Sequence, residues 1–380
     1  MNRAGSLSGR ENSLQAGGSP RGSFVPRLIS WNLTFKCNLK CAHCYINANE
    51  GKGREELSTE EGMMLIDQIA EVAKPTLILS GGEPLLREDV FELARYASKR
   101  GFKVTMGTNG TLLGDRVAKR LKSSGVRKIA ISLDSSMPEK HDEFRGVKGS
   151  WERAVEGIRA CRRNGIDVQI NTTITQRNYN EIAGILDLAE RLGAKDLHAF
   201  FLVPTGRGKG LEKASPAAYE KMLVTILKEG MKHKINVKPT CAPQFARLVK
   251  QMGFKPRRRW SRGCIAGLSY CRVYPTGDVT PCPYLPISLG NVRERSFKEI
   301  WFDSKVLKAL RDFNNLKGRC GACEYRDVCG GCRARAYGLT SSAIGVCDGL
   351  HEPTGLKGDY LAEDPWCAYR PKALGEEKIG

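Results

Sequence analysis

Leu28-Ile29-Ser30-Trp31-Asn32-Leu33-Thr34-Phe35-Lys36-Cys37-Asn38-Leu39-Lys40-Cys41-Ala42-His43-Cys44 is the stretch that decides how this chain is read. An apolar run ends, and three cysteines follow at C-x3-C-x2-C spacing. Three thiolates on one loop can hold three corners of an iron–sulfur cubane, which takes Cys ligands by preference. No fourth cysteine follows at short spacing, so one metal position is left open, as in catalytic metal sites. A zinc ion with a distant fourth ligand is the alternative that the same spacing allows.

Working outward, the first half reads as repeated strand–helix units. Strands are expected at residues 28–34, 76–79, 104–106, 129–133, 168–174 and 197–203. Their nearly continuous apolar character is that of parallel strands covered on both faces. Helical patterns occupy 90–99, 115–123, 151–163 and 179–191, and another opens at Ser58, with Glu61 placed to close a capping box. Gly101, Gly125, Gly165 and Gly193 each stand just past a helix, where C′ glycines occur. Six β/α units in a row imply a parallel sheet with right-handed crossovers, as an open α/β sheet or a partial barrel. Ligands bind at the carboxyl ends of such strands. The informative residues fall there: the cysteine loop after the first strand, Ser80-Gly81-Gly82-Glu83-Pro84 after the second, Thr108-Asn109-Gly110 after the third, Asp134 after the fourth and Pro204-Thr205-Gly206 after the sixth. Residues 135–150 carry no assignment.

Composition bounds the rest. Fourteen cysteines at short spacings, without an apolar leader, point to metal or cluster ligation in a cytoplasmic protein rather than to disulfides. No apolar run is long enough for a transmembrane helix. A net charge of +20 points either to an anionic partner or to a solvated basic surface, and its densest patch is Lys255-Pro256-Arg257-Arg258-Arg259-Trp260. Nucleic-acid binding lacks a recognisable reading motif. Residues 1–25 read as a disordered basic tail, 26–235 as the (β/α)6 domain, 236–263 as a bridging segment, 264–372 as a cysteine-rich extension and 373–380 as a tail.

That extension holds Cys264, Cys271, Gly277-x4-Cys282, then Cys320-x2-Cys323-x5-Cys329-x2-Cys332, and Cys367. Eight such cysteines suffice for two four-cysteine clusters, and C-x2-C pairs also suit structural zinc. Cys161 lies in a helix and reads as a core residue. Cys347, in the insertion at 339–357, is an alternative to Cys367. Cys241, in Thr240-Cys241-Ala242-Pro243, either faces a substrate or packs.

The cysteine loop together with Gly81-Gly82-Glu83-Pro84 resembles the radical S-adenosylmethionine (SAM) superfamily, and the extension resembles its SPASM domain. The resemblance implies a partial (β/α)6 barrel with an auxiliary-cluster extension, and an enzyme of oxidoreductase or lyase type. Cys37, Cys41 and Cys44 would bind a [4Fe–4S] cluster whose open iron is chelated by SAM, and reductive cleavage of SAM to a 5′-deoxyadenosyl radical would start the reaction. SAM contacts would come from His43, Gly81, Gly82, Glu83 (as acceptor for the ammonium), Asn109, Ser132, Asp134, Arg145 and Asn171. One auxiliary cluster would take Cys264, Cys271, Cys282 and Cys332, and a second Cys320, Cys323, Cys329 and Cys367. The two-residue gap between Cys329 and Cys332 departs from the three of the SPASM pattern. No catalytic residue is implied beyond cluster and SAM.

Leu202-Val203-Pro204-Thr205-Gly206-Arg207, Thr240-Cys241-Ala242-Pro243, Cys329-Gly330-Gly331-Cys332-Arg333-Ala334-Arg335-Ala336-Tyr337 and Gly358-Asp359-Tyr360-Leu361-Ala362-Glu363-Asp364-Pro365 are similar to the heme-pathway group, namely siroheme-dependent heme b synthases that decarboxylate Fe-coproporphyrin III. Tyr45 departs from the Arg of many of those decarboxylases. The implied partners are a tetrapyrrole substrate, with Arg207, Cys241, Arg333 and Arg335 as contacts, and reduced ferredoxin or flavodoxin, with no nucleic acid and no membrane. Didecarboxysiroheme deacetylation, heme d1 formation, peptide or protein modification, and a non-catalytic electron carrier or zinc scaffold are the alternatives.

Overall fold

The computed structural model describes residues 24–50, 55–211, 214–254, 262–340 and 358–375. The tail at 1–23, the basic patch at 255–260 and Cys347 lie outside these residues. Strands β1 (Leu28–Asn32), β2 (Thr76–Ser80), β3 (Lys103–Thr108), β4 (Lys128–Ser132), β5 (Asp167–Ile174), β6 (Asp196–Phe201) and β7 (Asn236–Thr240) pair in sequence order, each parallel to the last. The other side of β1 takes β8 (Tyr270–Val273), again parallel, and the antiparallel strands β9 (Asp278–Thr280) and β10 (Gly290–Asn291) complete the sheet. The ten strands run β10-β9-β8-β1-β2-β3-β4-β5-β6-β7, so the sheet is open, with β7 and β10 at its edges.

The sheet therefore extends past residue 235, on both sides of the six expected strands. Residues 236–240, expected as a bridge, form an edge strand that tolerates Pro239, because an edge does not need every backbone donor. The cysteine-rich half is not a separate layer either, since β8 hydrogen-bonds directly to β1.

Helices α1 (Thr59–Val72), α2 (Val90–Lys99), α3 (Asp115–Ser123), α4 (Pro138–Arg145), α5 (Ser150–Arg163), α6 (Ile182–Arg191), α7 (Pro216–Lys232) and α8 (Phe245–Gln251) connect or follow the parallel strands. Helices α9 (Phe297–Asp303), α10 (Lys305–Arg311), α11 (Gly318–Gly321) and α12 (Arg333–Thr340) belong to the cysteine-rich half. The capping box of Ser58 and Glu61 forms, and the four C′ glycines have positive φ. The unassigned stretch 135–150 contains α4, whose mean composition is strongly polar and gives little apolar periodicity.

Burial alternates along β2, β3, β4, β5 and β7 instead of being continuous, while β1 is buried on both faces over Ile29–Asn32. Ile29, Trp31, Leu77, Leu79, Val104, Met106, Ile129, Ile131, Val168, Ile170, Cys271 and Val273 point to one side and join a single apolar core. The other side carries small and polar residues: Ser80, Thr105, Gly107, Ser132, Gln169, Asn171 and Thr173 are half-buried. One sheet face thus builds the core and the other is left for ligands.

The core leaves little slack around Trp31, which is fully buried. A Cβ added at Gly62 of α1 would stand 2.7 Å from the Trp31 ring and 3.0 Å from Leu93. Gly62→Ala should therefore cost about 1–3 kcal/mol through overpacking. Trp31→Phe in the same chain should recover part of that loss, because the two sites share one space. Denaturant midpoints of the two single variants and the double variant measure the coupling, and additive effects would show that the ring is not what Gly62 accommodates.

Candidate active site

The cysteine loop has no regular structure of its own, and its shape comes from three neighbours. At its entrance, Gly82 N–H donates to the Thr34 carbonyl (2.8 Å) and Glu83 N–H to the Lys36 carbonyl (2.8 Å). A Cβ on Gly82 would lie 2.3 Å from the Lys36 oxygen, so only glycine permits this approach. In the middle, Lys40 N–H donates to the Arg145 carbonyl (3.1 Å) and Ala42 N–H to the Phe144 carbonyl (3.0 Å), both at the end of α4. At the exit, Arg207 N–H donates to the Cys44 carbonyl (3.0 Å) and its guanidinium to the carbonyls of Cys41 (2.9 Å) and Ala48 (3.2 Å). Asn49 closes the loop by a reciprocal pair of bonds with the Cys37 backbone, each 2.8 Å.

Cys37, Cys41 and Cys44 end up within electrostatic reach of one another. Burial pushes the Cys37 thiol up to about 11, so a bound metal's charge is what would hold it as thiolate.

Glu83 is fully buried, and three donors already bind its carboxylate. It accepts from Thr108 Oγ1 (2.8 and 2.9 Å), Asn109 N–H (2.9 Å) and Leu85 N–H (3.2 Å). Glu83 therefore anchors the loop after β3, and three donors leave about one of the carboxylate's four acceptor positions for the ammonium expected from the sequence. Burial pushes this carboxyl up to about 7 despite those bonds. Asn109 in turn holds the cysteine loop, donating from Nδ2 to Asn38 Oδ1 (2.8 Å).

His43 stacks on Phe144 with ring centroids 4.3 Å apart. Burial lowers its pKa to about 3, so the ring is neutral, and its buried Nδ1 has no partner. Arg145 and Asp134 form a buried ion pair (2.6 Å), and Asp134 also accepts from Thr173 N–H (2.7 Å). Burial opposes both charges, yet each partner's field holds Arg145 above and Asp134 below its ordinary value. Arg145 Nη1 lies 3.7 Å from Cys41 Sγ. Ser132 and Asn171 face each other across β4 and β5 on the ligand side of the sheet.

The C-terminal cysteines fall into two groups. Cys320, Cys323, Cys329 and Cys367 line one pocket, with Arg319, Arg326 and Tyr369 at its wall. Cys264, Cys282 and Cys332 lie within electrostatic reach of each other, and Cys241 joins them. Cys271, grouped with them on spacing, is placed apart: it is fully buried in the core, paired with Ile29 across β1 and β8. Asp364 sits between the two groups. It pairs with Arg335 (2.8 Å), accepts from Cys332 N–H (2.7 Å) and Gln244 Nε2 (2.7 Å), and donates its own N–H to Cys320 Sγ (3.3 Å).

The arginines expected to meet substrate are all engaged elsewhere. Arg207 ties the cysteine loop. Arg333 donates to the Ala362 (2.7 Å) and Tyr360 (3.2 Å) carbonyls and to Cys320 Sγ (3.4 Å). Arg335 is fully buried against Asp364, with a further bond to the Cys241 carbonyl (2.9 Å). The residue that sequence reasoning missed is Arg272 on β8. It is fully buried, with Tyr45 and Tyr274 over its guanidinium at 4.4 and 4.5 Å; the Tyr45 hydroxyl acts on it, but none of its three guanidinium nitrogens makes a well-directed hydrogen bond. Its signal was the alternation Tyr270-Cys271-Arg272-Val273, which puts Arg272 on the ligand side with Ser30.

Iron–sulfur clusters fit these residues. Among the described residues, no three His, Cys, Asp or Glu side chains converge on a single metal ion. The thiols are grouped in sets of three and four, and cysteine thiolates are the ligands that iron–sulfur clusters prefer. Cys37, Cys41 and Cys44 would hold one cluster, and the orphaned His43 Nδ1 and Asn32 Nδ2 lie buried nearby without partners.

Glu83→Ala would strand two backbone N–H groups and the Thr108 hydroxyl. Iron content per chain after anaerobic reconstitution should then fall, because the loop that Asn109 steadies loosens. A variant with full iron and weakened SAM binding alone, by equilibrium dialysis, would leave Glu83 with the ammonium as its only task and remove it as an anchor of the loop.

Comparison with known proteins agrees with this geometry. Residues 31–192 match the radical SAM superfamily and residues 264–332 the SPASM iron–sulfur cluster-binding domain. The AdoMet-dependent heme synthase of Methanosarcina barkeri is 44% identical over 357 residues, covering 91% of this chain and 97% of that protein. The Fe-coproporphyrin III synthase of the same organism is 33% identical over 374 residues, covering 92% and 89%. Among solved structures, Streptococcus suis SuiB bound to its precursor peptide SuiA superposes with a TM-score of 0.68 at 18% identity, over 87% of this chain and 75% of that one, a likeness of fold. The chain belongs to the radical SAM superfamily, in the branch that carries a SPASM domain, and is an enzyme whose cofactors are SAM and [4Fe–4S] clusters.

Proposed function

We propose that this enzyme oxidatively decarboxylates propionate side chains of Fe-coproporphyrin III to vinyl groups, the last step toward heme b. The observation that carries this reading is a contrast within one organism. Over nearly the same span, the chain is 44% identical to the AdoMet-dependent heme synthase of M. barkeri and 33% identical to its Fe-coproporphyrin III synthase.

The chemistry sets what the protein has to provide. SAM and the cluster, when bound, supply the radical that takes one hydrogen atom from the propionate chain. Loss of CO2 then leaves a carbon–carbon double bond and one electron, which needs an acceptor. The Tyr45 ring, next to Cys44, meets the Tyr284 ring edge-on at 5.3 Å, and Tyr284 packs with Cys241, Cys282 and Cys332. The second cysteine group is thus one aromatic contact away from the cysteine loop. Reduced ferredoxin or flavodoxin would deliver the electron that starts each turnover.

Arg272 supports a carboxylated substrate. A buried cation without a well-directed hydrogen bond costs several kcal/mol, and a substrate carboxylate would offset that cost.

Anaerobic incubation with SAM, a low-potential reductant and Fe-coproporphyrin III should give products lighter by the decarboxylation of propionate to vinyl. Unchanged porphyrin mass alongside SAM cleavage would overturn the reading, and turnover of didecarboxysiroheme instead would assign the chain to the neighbouring step. Arg272→Met should weaken porphyrin affinity about tenfold to a hundredfold, the loss of one charge-assisted hydrogen bond of roughly 1.5–3 kcal/mol. SAM affinity should stay at the parent level, and unchanged porphyrin affinity would remove Arg272 from the substrate site.

A further inference from the structure

We propose that Cys241 is the fourth thiolate of the auxiliary cluster held by Cys264, Cys282 and Cys332, in the place that spacing gives to Cys271. Two independent features of the fold carry it. The first removes Cys271. The pleat of β8 turns Cys271 and Val273 to the helix side, where both are fully buried and packed in the apolar core. Among the described residues, the charged group that acts on the Cys271 thiol is Arg311, and no other cysteine does. Reaching the ligand group would require the thiol to pass through the sheet.

The second feature delivers Cys241. It follows the end of β7 at the carboxyl side of the sheet, and it packs in one small cluster with Cys282, Cys332 and Tyr284. Its thiol is within electrostatic reach of Cys332, Cys282 and Cys264. Its backbone is held in the left-handed region (φ 57°), which non-glycine residues rarely occupy. The surroundings fix it there. Arg335 Nη1 donates to the Cys241 carbonyl (2.9 Å), and the same arginine is bound to Asp364, which accepts from Cys332 N–H. Gly263 lies tight between the turn after β7 and the segment that begins at Cys329: a Cβ there would lie 2.5 Å from the Pro243 oxygen and 2.7 Å from the Cys329 oxygen. Cys264 N–H then donates to the Cys329 carbonyl (3.0 Å). The turn after β7, the start of the cysteine-rich half and the Cys329–Cys332 segment are therefore tied together, and each presents a cysteine. Cys241 lies outside the segment 264–332 that matches the cluster-binding domain, so the radical SAM sheet itself supplies a ligand to the extension. On ligation the thiol gives up its proton and forms one iron–sulfur bond, with no change in oxidation state.

This ligation does not depend on which substrate the enzyme takes. Its test is iron and acid-labile sulfide content, with EPR spectra of the reduced protein, on anaerobically reconstituted full-length chains. Cys271→Ala should match the parent in iron, sulfide and line shape. Cys241→Ala should lose about four irons per chain, one cubane, or keep them with a changed auxiliary signal. Cys241→Ser separates ligation from folding, because serine keeps nearly the same volume and offers an oxygen, so it should fold like the parent and shift the auxiliary signal. Parent-like iron and spectra in both Cys241 variants, or loss of a cluster in Cys271→Ala, would overturn the assignment.

Discussion

Everything in this structure depends on the backbone of a loop that cannot hold itself. Residues 37–44 form neither helix nor strand, yet three of their thiolates have to stand at fixed corners. The hydrogen bonds that set them come from outside: the Gly81–Gly82 turn at the entrance, the end of α4 in the middle, and Gly206–Arg207 at the exit. Each of these belongs to a different β/α unit. The loop is therefore shaped only once β1, β2, β4 and β6 are in register, which couples the radical site to the folding of the sheet. Preorganisation of this kind is what a site with one open coordination position requires, since the cofactor itself supplies no fourth protein bond.

What was legible in the sequence follows from this arrangement. The spacing of Cys37, Cys41 and Cys44, the glycine pair and the C′ glycines are local signals, and local signals survive in a linear chain. Helix α4 was not legible, because its side chains are mostly charged and give little apolar periodicity, and part of its role is carried by backbone carbonyls. The second role of Glu83 was hidden for a similar reason: the motif marks where a carboxylate stands, but only the fold shows that Thr108, Asn109 and Leu85 also donate to it. Cys271 shows a different failure. Spacing to Cys264 and Cys282 grouped it with ligands, while the period of two along β8 already placed it beside Val273 on the apolar face. Where spacing and strand periodicity disagree, the pleat decides, since it fixes which side of a sheet a thiol can reach.

The surplus of positive charge is also partly an interior matter. Arg145 stands beside Cys41, Arg333 donates to Cys320 Sγ, and Arg335 lies next to Cys332. Thiolate-ligated clusters carry negative charge, and hydrogen bonds to their sulfurs and nearby cations tune their potentials. Two of these arginines are also balanced by buried carboxylates, Asp134 and Asp364, so they are held in place before any cluster arrives. A count of Lys and Arg therefore overstates the charge available to collect an anionic substrate.

Arg272 stands out against that pattern. Arg145 and Arg335 are buried with a carboxylate at 2.6 and 2.8 Å, whereas the titratable groups that act most strongly on Arg272 are tyrosines, namely Tyr45, Tyr274, Tyr270 and Tyr284. Ring faces stabilise a guanidinium from above and below, by about 2 kcal/mol when desolvated, but they leave its N–H groups in the plane without acceptors. A protein that only needed to fill this space would do better with an apolar side chain. An arginine here, on the ligand side of the strand that joins the cysteine-rich half to β1, makes sense as one half of an ion pair whose other half arrives with the substrate.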